Sequence, residues 1–270
     1  MAASVARTLS APVFLLDAFS VLQPVSAPVD PHQPPVILVV HGALGDATQM
    51  RPMADALGAL GTVHLVELPG HGTTALSDDL SFTMALFADT IGNAAGRHRH
   101  GKLAPLCFGY SMGGYAALLL EATSPGTLGG IVTLGTRFEW TPDVAAAAAS
   151  RLDAAMLRAK VPAFAEQLRE RHESAGGWEL LLARTAHLLT GLGAAPPLTA
   201  PRLSKVQIPV RVVVGSRDDT VTPGEAARIA STMPAASAHE LLDVPHPVER
   251  VPAHLVVRVF RNLTRDLPQD

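Results

Sequence analysis

Apolar residues along this 270-residue chain fall into two alternating patterns. Six short runs are β-rich and mostly continuous in hydrophobicity: Val36–Val40 (VILVV), Thr62–Glu67 (TVHLVE), Leu103–Phe108 (LAPLCF), Gly130–Gly135 (GIVTLG), Val210–Gly215 (VRVVVG) and His239–Val244 (HELLDV). Continuous apolar runs mark strands covered on both faces. Between most of them lie helical patterns, at about Asp46–Leu60, Ser81–Ala95, Gly113–Ala122, Pro223–Thr232 and Pro252–Thr264. Thr222-Pro223-Gly224-Glu225 fits a capping box with proline at the first helical position, and Thr141-Pro142 repeats the threonine–proline entry. Strand–helix alternation predicts an α/β fold, a mostly parallel central β-sheet with helices on both faces.

One interval breaks the rhythm. Between Gly135 and Val210 no strand signal occurs. PDVAAAAASRLDAAMLRAK puts Val144, Ala148, Leu152 and Met156 on one helical stripe, with the alanine run well suited to a helix. VPAFAEQLRERH adds Phe164 and Leu168, and GWELLLARTAHLL adds Trp178, Leu181, Leu182, Thr185, Leu188 and Leu189. GAAPPLTAP, Gly193 to Pro201, reads as a stiff return linker. The interval is a helical insertion into one α/β domain, and its apolar stripes need burial, most simply over the C-terminal edge of the sheet.

Composition narrows the class. At 48% hydrophobic and 17% charged residues, with a net charge of −3, the chain reads as a globular protein without an electrostatic case for nucleic acid. The basic cluster Arg97 to His100 reads as a solvated helix end. A single cysteine, Cys107, excludes an internal disulfide and a cysteine-based zinc site, and its apolar run makes it buried filler. The N-terminal twenty residues contain Pro12 and are interrupted by Asp17, which makes a poor signal peptide and no membrane span. A cytoplasmic location is expected. The oligomeric state is left open.

The candidate chemistry centres on FGYSMGG. Ser111 stands between Gly109 and Gly113, directly after a strand and opening a helix, the setting of a nucleophile elbow. Bulky neighbours two residues away on either side would collide in so tight a turn, and the helix N-terminus favours a developing anion nearby. A serine hydroxyl needs a base to take its proton and a third group to orient that base. VVVGSRDDTVTP places Asp218 and Asp219 in the loop after one strand, and LLDVPHPVER places His246 after the next. In LVVHGALGD, the Gly42 position lets the backbone run close to the site. The N–H of Ala43, with that of Met112, is the candidate oxyanion hole. His41 and His71 read as loop-structuring, with substrate contact the alternative for His41. His41, Tyr110, Met156, Phe164, Trp178 and Leu182 form the candidate substrate-contacting set, with Leu181 beside them.

With these residues in order, the chain resembles the α/β-hydrolase family, in its compact microbial carboxylesterase and lysophospholipase-like branch. VVHGALG, VELPGHG, FGYSMGG, VGSRDDTVTP and PHPVE follow family order across nearly the whole chain. The resemblance implies an α/β-hydrolase fold with an inserted helical cap: residues 1–136 and 203–270 form the core, and 137–202 the cap. It also implies a Ser111–Asp218–His246 triad, with Asp218 rather than Asp219 fitting Gly-x-x-Asp counted from Gly215. Two departures stand out: Pro245 precedes the histidine where the family usually has glycine, and the oxyanion loop is a short His-Gly-x type without an HGGG run. The implied activity is hydrolysis of small to medium hydrophobic carboxylic esters, with a small-molecule ester as partner and no metal or organic cofactor. Thioester hydrolysis, acyl transfer and carbon–carbon bond hydrolysis run on the same triad, and a hydrolase-fold binding protein is the reading of another class.

Overall fold

A computed structural model describes residues 13–16, 34–77, 80–99 and 103–267. The reading of the first twenty residues therefore lies, apart from 13–16, outside the described residues, as does His100 of the basic cluster. The strands are β1 (Val13–Leu16), β2 (Val36–Val40), β3 (Thr62–Val66), β4 (Leu106–Tyr110), β5 (Gly130–Leu134), β6 (Val210–Arg217) and β7 (Ala236–Pro245). Every pairing is parallel, in the order β1-β7-β6-β5-β4-β2-β3. β1 extends the sheet beyond the six strands expected from the sequence.

The helices are α1 (Arg51–Leu57), α2 (Met84–Arg97), α3 (Met112–Thr123), α4 (Pro142–Ala149), α5 (Ala154–Lys160), α6 (Pro162–His172), α7 (Trp178–Ala194), α8 (Ala200–Leu203), α9 (Pro223–Ala230) and α10 (Ala253–Arg265). Two cores sandwich the sheet because successive strand side chains point to opposite faces. Val36, Leu38 and Val40 pack with Phe87, Ile91 and Leu118 of α2 and α3. Ile37 and Val39 pack with Leu57 of α1 and with Val256 and Phe260 of α10. All five β2 residues are buried, which is why the run reads as continuous hydrophobicity rather than alternation. Among the described residues no helix is long and apolar enough to cross a membrane.

Several boundaries depart from the periodicity for identifiable reasons. The helix expected from Asp46 starts only at Arg51, because Asp46 Oδ1 accepts from the Gln49 N–H at 2.8 Å and holds a turn instead. The long stripe from Pro142 to Lys160 is two helices. Asp153 takes extended angles and accepts from the Met156 N–H at 2.6 Å, so it caps a second helix. The return linker shortens to 195–199, since α7 runs through Ala194 and α8 starts at Ala200.

The threonine caps form as expected, Thr141 to Val144 N–H at 3.2 Å and Thr222 to Glu225 N–H at 3.1 Å. The glutamate half of the capping box is diverted. Glu225 is buried and its Oε1 accepts from the N–H groups of Phe138 and Glu139, pinning the chain where it leaves β5 for the inserted helices. In that insertion α7 packs closely on α4, with Gly193 against Ala145.

Buried ionisable groups make stability depend on pH. Burial, and secondarily the charge of Arg211, lowers His239 on β7 from 6.5 to about 4. A folded value below the unfolded one means stability that is complete above pH 6.5 and lost as pH falls towards 4, about 2 kcal/mol by pH 5. Burial raises Glu121 and Glu225, whose protonation favours the fold on acidification and so works in the opposite sense. In urea titrations at pH 7 and pH 5, His239→Leu should therefore shift the pH dependence by about 2 kcal/mol in favour of the acid side. An unchanged difference between the two pH values would contradict the assignment.

Candidate active site

Sheet order reverses beside β2: β3 lies on one side of it and β4 on the other. Loops leaving the C-terminal ends of β2 and β4 therefore diverge and open a crevice. Ser111 sits there, between β4 and α3, with φ 50° and ψ −115°. A non-glycine residue in such a conformation costs about 1–3 kcal/mol and persists only when its surroundings dictate it. Here they do. The Ser111 N–H donates to Leu134 O at 2.8 Å, and its carbonyl accepts from Thr136 Oγ1 at 2.9 Å and Gly114 N–H at 3.1 Å. A Cβ on Gly109 would lie 2.5 Å from the Gly114 Cα and nitrogen, and one on Gly113 would lie 2.5 Å from His41 O. Strand and helix approach too closely at these two points for any side chain.

The second group lies at the ends of β6 and β7. His246 Nδ1 is 2.8 Å from Asp218 Oδ2, and the Asp218 side chain is 1% exposed. The other carboxylate oxygen accepts from the N–H groups of Thr220 at 2.8 Å and Val221 at 2.9 Å. A carboxylate only accepts, so Nδ1 carries a proton, and the tautomer this selects for the neutral ring is the one with its lone pair on Nε2. Asp219 is exposed and makes no such contact with the ring. β7 runs through Pro245, so the residue in the usual glycine position ends the strand and His246 follows directly. The tyrosine beside the serine fixes it from behind, Tyr110 OH donating to His246 O at 3.1 Å.

Ser111 and the His246–Asp218 pair flank the end of β5. Ser111 is bonded to Leu134, and the next residue, Gly135 at φ 60°, abuts the other pair. A Cβ there would be 3.1 Å from Asp218 Oδ2 and from His246 Nδ1.

A cavity of about 340 Å³ opens on Ser111, Ala43 and Met112. Among the described residues, neither the Ala43 N–H nor the Met112 N–H has a protein acceptor. Its remaining walls are mostly apolar, with Met84, Tyr115, Trp140, Val144, Leu152 and Leu189 among them, and Arg137, Arg151, Asp219 and Thr220 are the polar groups. Arg137 is held by donation to Thr220 O and by its place over the Trp140 ring.

Most of the substrate-contacting set expected from the sequence lies elsewhere. Trp178 and Leu182 are buried in a separate cluster with Leu157, Ala165 and Leu168. Phe164 is 40% exposed, and Met156 is half-buried on α5 without lining the cavity. The break before Asp153 explains part of this: Leu152 ends in the cavity wall, while Met156 belongs to the next helix. Tyr110 serves the His246 backbone. His41 is fully buried, its Nδ1 donating to Gly42 O at 2.8 Å. Its Nε2 faces the Leu68 N–H at 3.1 Å and Glu67 Oε1 at 2.9 Å, so the ring is committed to two loops. His71, also fully buried, donates from Nδ1 to Pro69 O at 3.2 Å; burial, and then His41, hold it well below the usual histidine range. Burial pushes the Cys107 thiol up to about 12.

Thr136, Trp140 and Val144 were invisible as site residues. Thr136 follows a strand end with no motif, and the other two carry only the signal of a helical insertion. Among the described residues no group of three or more His, Cys, Asp or Glu is arranged to hold a metal ion.

Comparison with known proteins adds three findings. Residues 37–259 match the family described as alpha/beta hydrolase. A thermostable monoacylglycerol lipase from Bacillus sp. (strain H-257) is 30% identical over 196 residues, covering 70% of this chain and 73% of its own. Two solved structures share the fold: a thermophilic esterase from Thermogutta terrifontis (TM-score 0.66, 22% identity, 86% of this chain and 90% of that one) and the enol-lactonase from Burkholderia xenovorans LB400 (TM-score 0.64, 19% identity, 86% and 91%).

The glycine packing gives a direct test. Gly109→Ala forces a methyl group into the Gly114 backbone, and should cost at least about 3 kcal/mol in urea unfolding, since backbone on both sides leaves no flexible side chain to yield. A variant as stable as the parent would show that the close approach does not exist.

Proposed function

The chain belongs to the alpha/beta hydrolase family, and we propose that within it the protein is a serine hydrolase of carboxylic esters. The observation that carries this reading is the 2.8 Å contact between His246 and a buried, doubly hydrogen-bonded Asp218, around the same strand end as the strained Ser111.

His246 Nε2 removes the Ser111 proton as Oγ attacks the ester carbonyl. The electron pair displaced onto the carbonyl oxygen is stabilised by the N–H groups of Ala43 and Met112. His246 then returns the proton to the leaving alcohol, and afterwards activates water to release the acid from the acyl-enzyme. Asp218 keeps the ring in the tautomer this needs and stabilises its cation. Two aimed donors matter here because losing one typically costs about 3 kcal/mol of transition-state stabilisation.

Residues 137–202 act as a cap over the α/β core, with Trp140, Val144, Leu152 and Leu189 forming cavity walls. Those walls favour small to medium hydrophobic groups. A monoacylglycerol, the ester named in the 30% identical relative, joins an apolar chain to a small polar alcohol and is a candidate of this type.

Two measurements follow on p-nitrophenyl esters. Asp218→Asn should lower kcat by about 10³–10⁴-fold through the wrong histidine tautomer, whereas Asp219→Asn, which alters only a polar group of the cavity wall, should lose far less. Equal losses, or the reverse ranking, would sink the assignment of the acid. For chain length, Val144→Phe should depress octanoate hydrolysis relative to acetate by roughly tenfold or more, while Trp178→Ala lowers stability by about 3–5 kcal/mol and leaves the chain-length profile unchanged. A profile that moves with Trp178 and not with Val144 would put the acyl site in the other cluster.

A further inference from the structure

The loop carrying Ala43 is closed by a Gly45 N–H to Gly42 O bond at 3.2 Å, making a four-residue turn with Ala43 and Leu44 at its centre. Leu44 takes φ 58°. Turns with a positive φ at that second central position ordinarily place glycine or asparagine there, since a branched L-residue collides with its own backbone. Left alone, a leucine would relax to negative φ, and the turn closed between Gly42 and Gly45 would change shape and shift Ala43, its N–H included.

What holds it comes from far along the chain. Leu44 O accepts from His172 Nε2 at 3.0 Å and from Arg171 Nη1 at 3.2 Å, both at the C-terminal end of α6. His172 is fully buried. Its Nδ1 accepts from the Gly72 N–H at 2.9 Å, which leaves the proton on Nε2 and sets the ring as a donor towards Leu44. One neutral imidazole therefore ties together the inserted helices, the loop after β2 and the turn after β3. Arg171 Nε also lies 3.5 Å from Asp46 Oδ1, and the Leu44 side chain packs on the Leu157–Leu168–Trp178 cluster.

We propose that His172 is a positioning residue for ester hydrolysis: by holding the Leu44 carbonyl it aims the Ala43 N–H at the developing oxyanion and makes that aim depend on the seating of α6. The proposal rests on the reading of Ala43 as an oxyanion donor. It assigns the second cluster of the insertion a task other than touching substrate, since that cluster presses Leu44 into the strained turn. Because Arg171 donates to the same carbonyl, removing His172 should misaim the donor without abolishing it.

The test compares the full chain with His172→Gln, His172→Asn and His172→Phe. It measures kcat and KM on p-nitrophenyl butyrate, and inhibition by an aryl trifluoromethyl ketone, whose adduct with serine carries an oxyanion. A glutamine amide nitrogen reaches the place of Nε2 and donates to Leu44 O; an asparagine is too short. His172→Gln should stay within about threefold of the parent kcat. His172→Asn and His172→Phe should fall about 10- to 100-fold in kcat with KM within about twofold, less than or equal to the loss expected for deleting a donor outright, and should lose ketone affinity by the same factor. A folded His172→Phe with parental kcat and ketone affinity would overturn the proposal. So would equal losses in all three variants that track loss of folded protein. A parent chain inert towards both ester and ketone would instead refute the underlying hydrolase reading.

Discussion

Everything at this site depends on one backbone conformation, that of Ser111 at φ 50°. It is unfavourable by itself and is maintained because β4 and α3 pack so closely that Gly109 and Gly114 touch backbone to backbone. That contact sets where α3 begins, and so where the Met112 N–H points. The Ser111 N–H is in turn bonded to Leu134, which ties the elbow to β5 and to the Gly135 position against which Asp218 and His246 rest. The strained residue and the His246–Asp218 pair are thus placed around the same strand end. A global stability of about 5–15 kcal/mol absorbs a local cost of about 1–3 kcal/mol because the surrounding core is continuous on both sheet faces.

A second device recurs in four of the connecting segments: a buried or half-buried carboxylate takes up loop N–H groups that no strand or helix satisfies. Asp218 accepts from Thr220 and Val221, Glu225 from Phe138 and Glu139, Glu121 from Gly126 and Leu128, and Glu67 from Ala47. Hydrogen bonds to a charged acceptor are worth about 1.5–3 kcal/mol each, enough to offset much of the penalty for burying the group. In Asp218 this structural role and the chemical one coincide. One oxygen is fixed by the loop, and the other is left to orient the imidazole.

The sheet, its parallel order and the helices on both faces were legible because continuous apolar runs separated by helical stripes admit few other arrangements. The elbow was legible because glycine spacing reports close backbone approach directly. Separating Asp218 from Asp219 needed the family spacing, because both stand in one loop and only the fold brings the first against His246. The insertion was read least well. Its hydrophobic stripes marked burial but not which surface each one buries, so Trp178 and Leu182 looked like pocket walls although they pack from α7 against Leu157 of α5 and Ala165 and Leu168 of α6. Asp153 carried a capping signal that a run of helix-forming residues concealed, and the diversion of Glu225 to Phe138 and Glu139 depends on a contact between residues 86 and 87 positions apart. Such long-range pairings leave no trace in local pattern.

The account stands on Ser111 being an activated nucleophile, and that is most directly measured by treating the folded protein with a fluorophosphonate and locating the adduct by peptide mass spectrometry. The account predicts one stoichiometric adduct, on Ser111, with no labelling of a folded Ser111→Ala variant. Stoichiometric modification at another residue, or an unreactive Ser111 in protein that is otherwise fully folded, would contradict it.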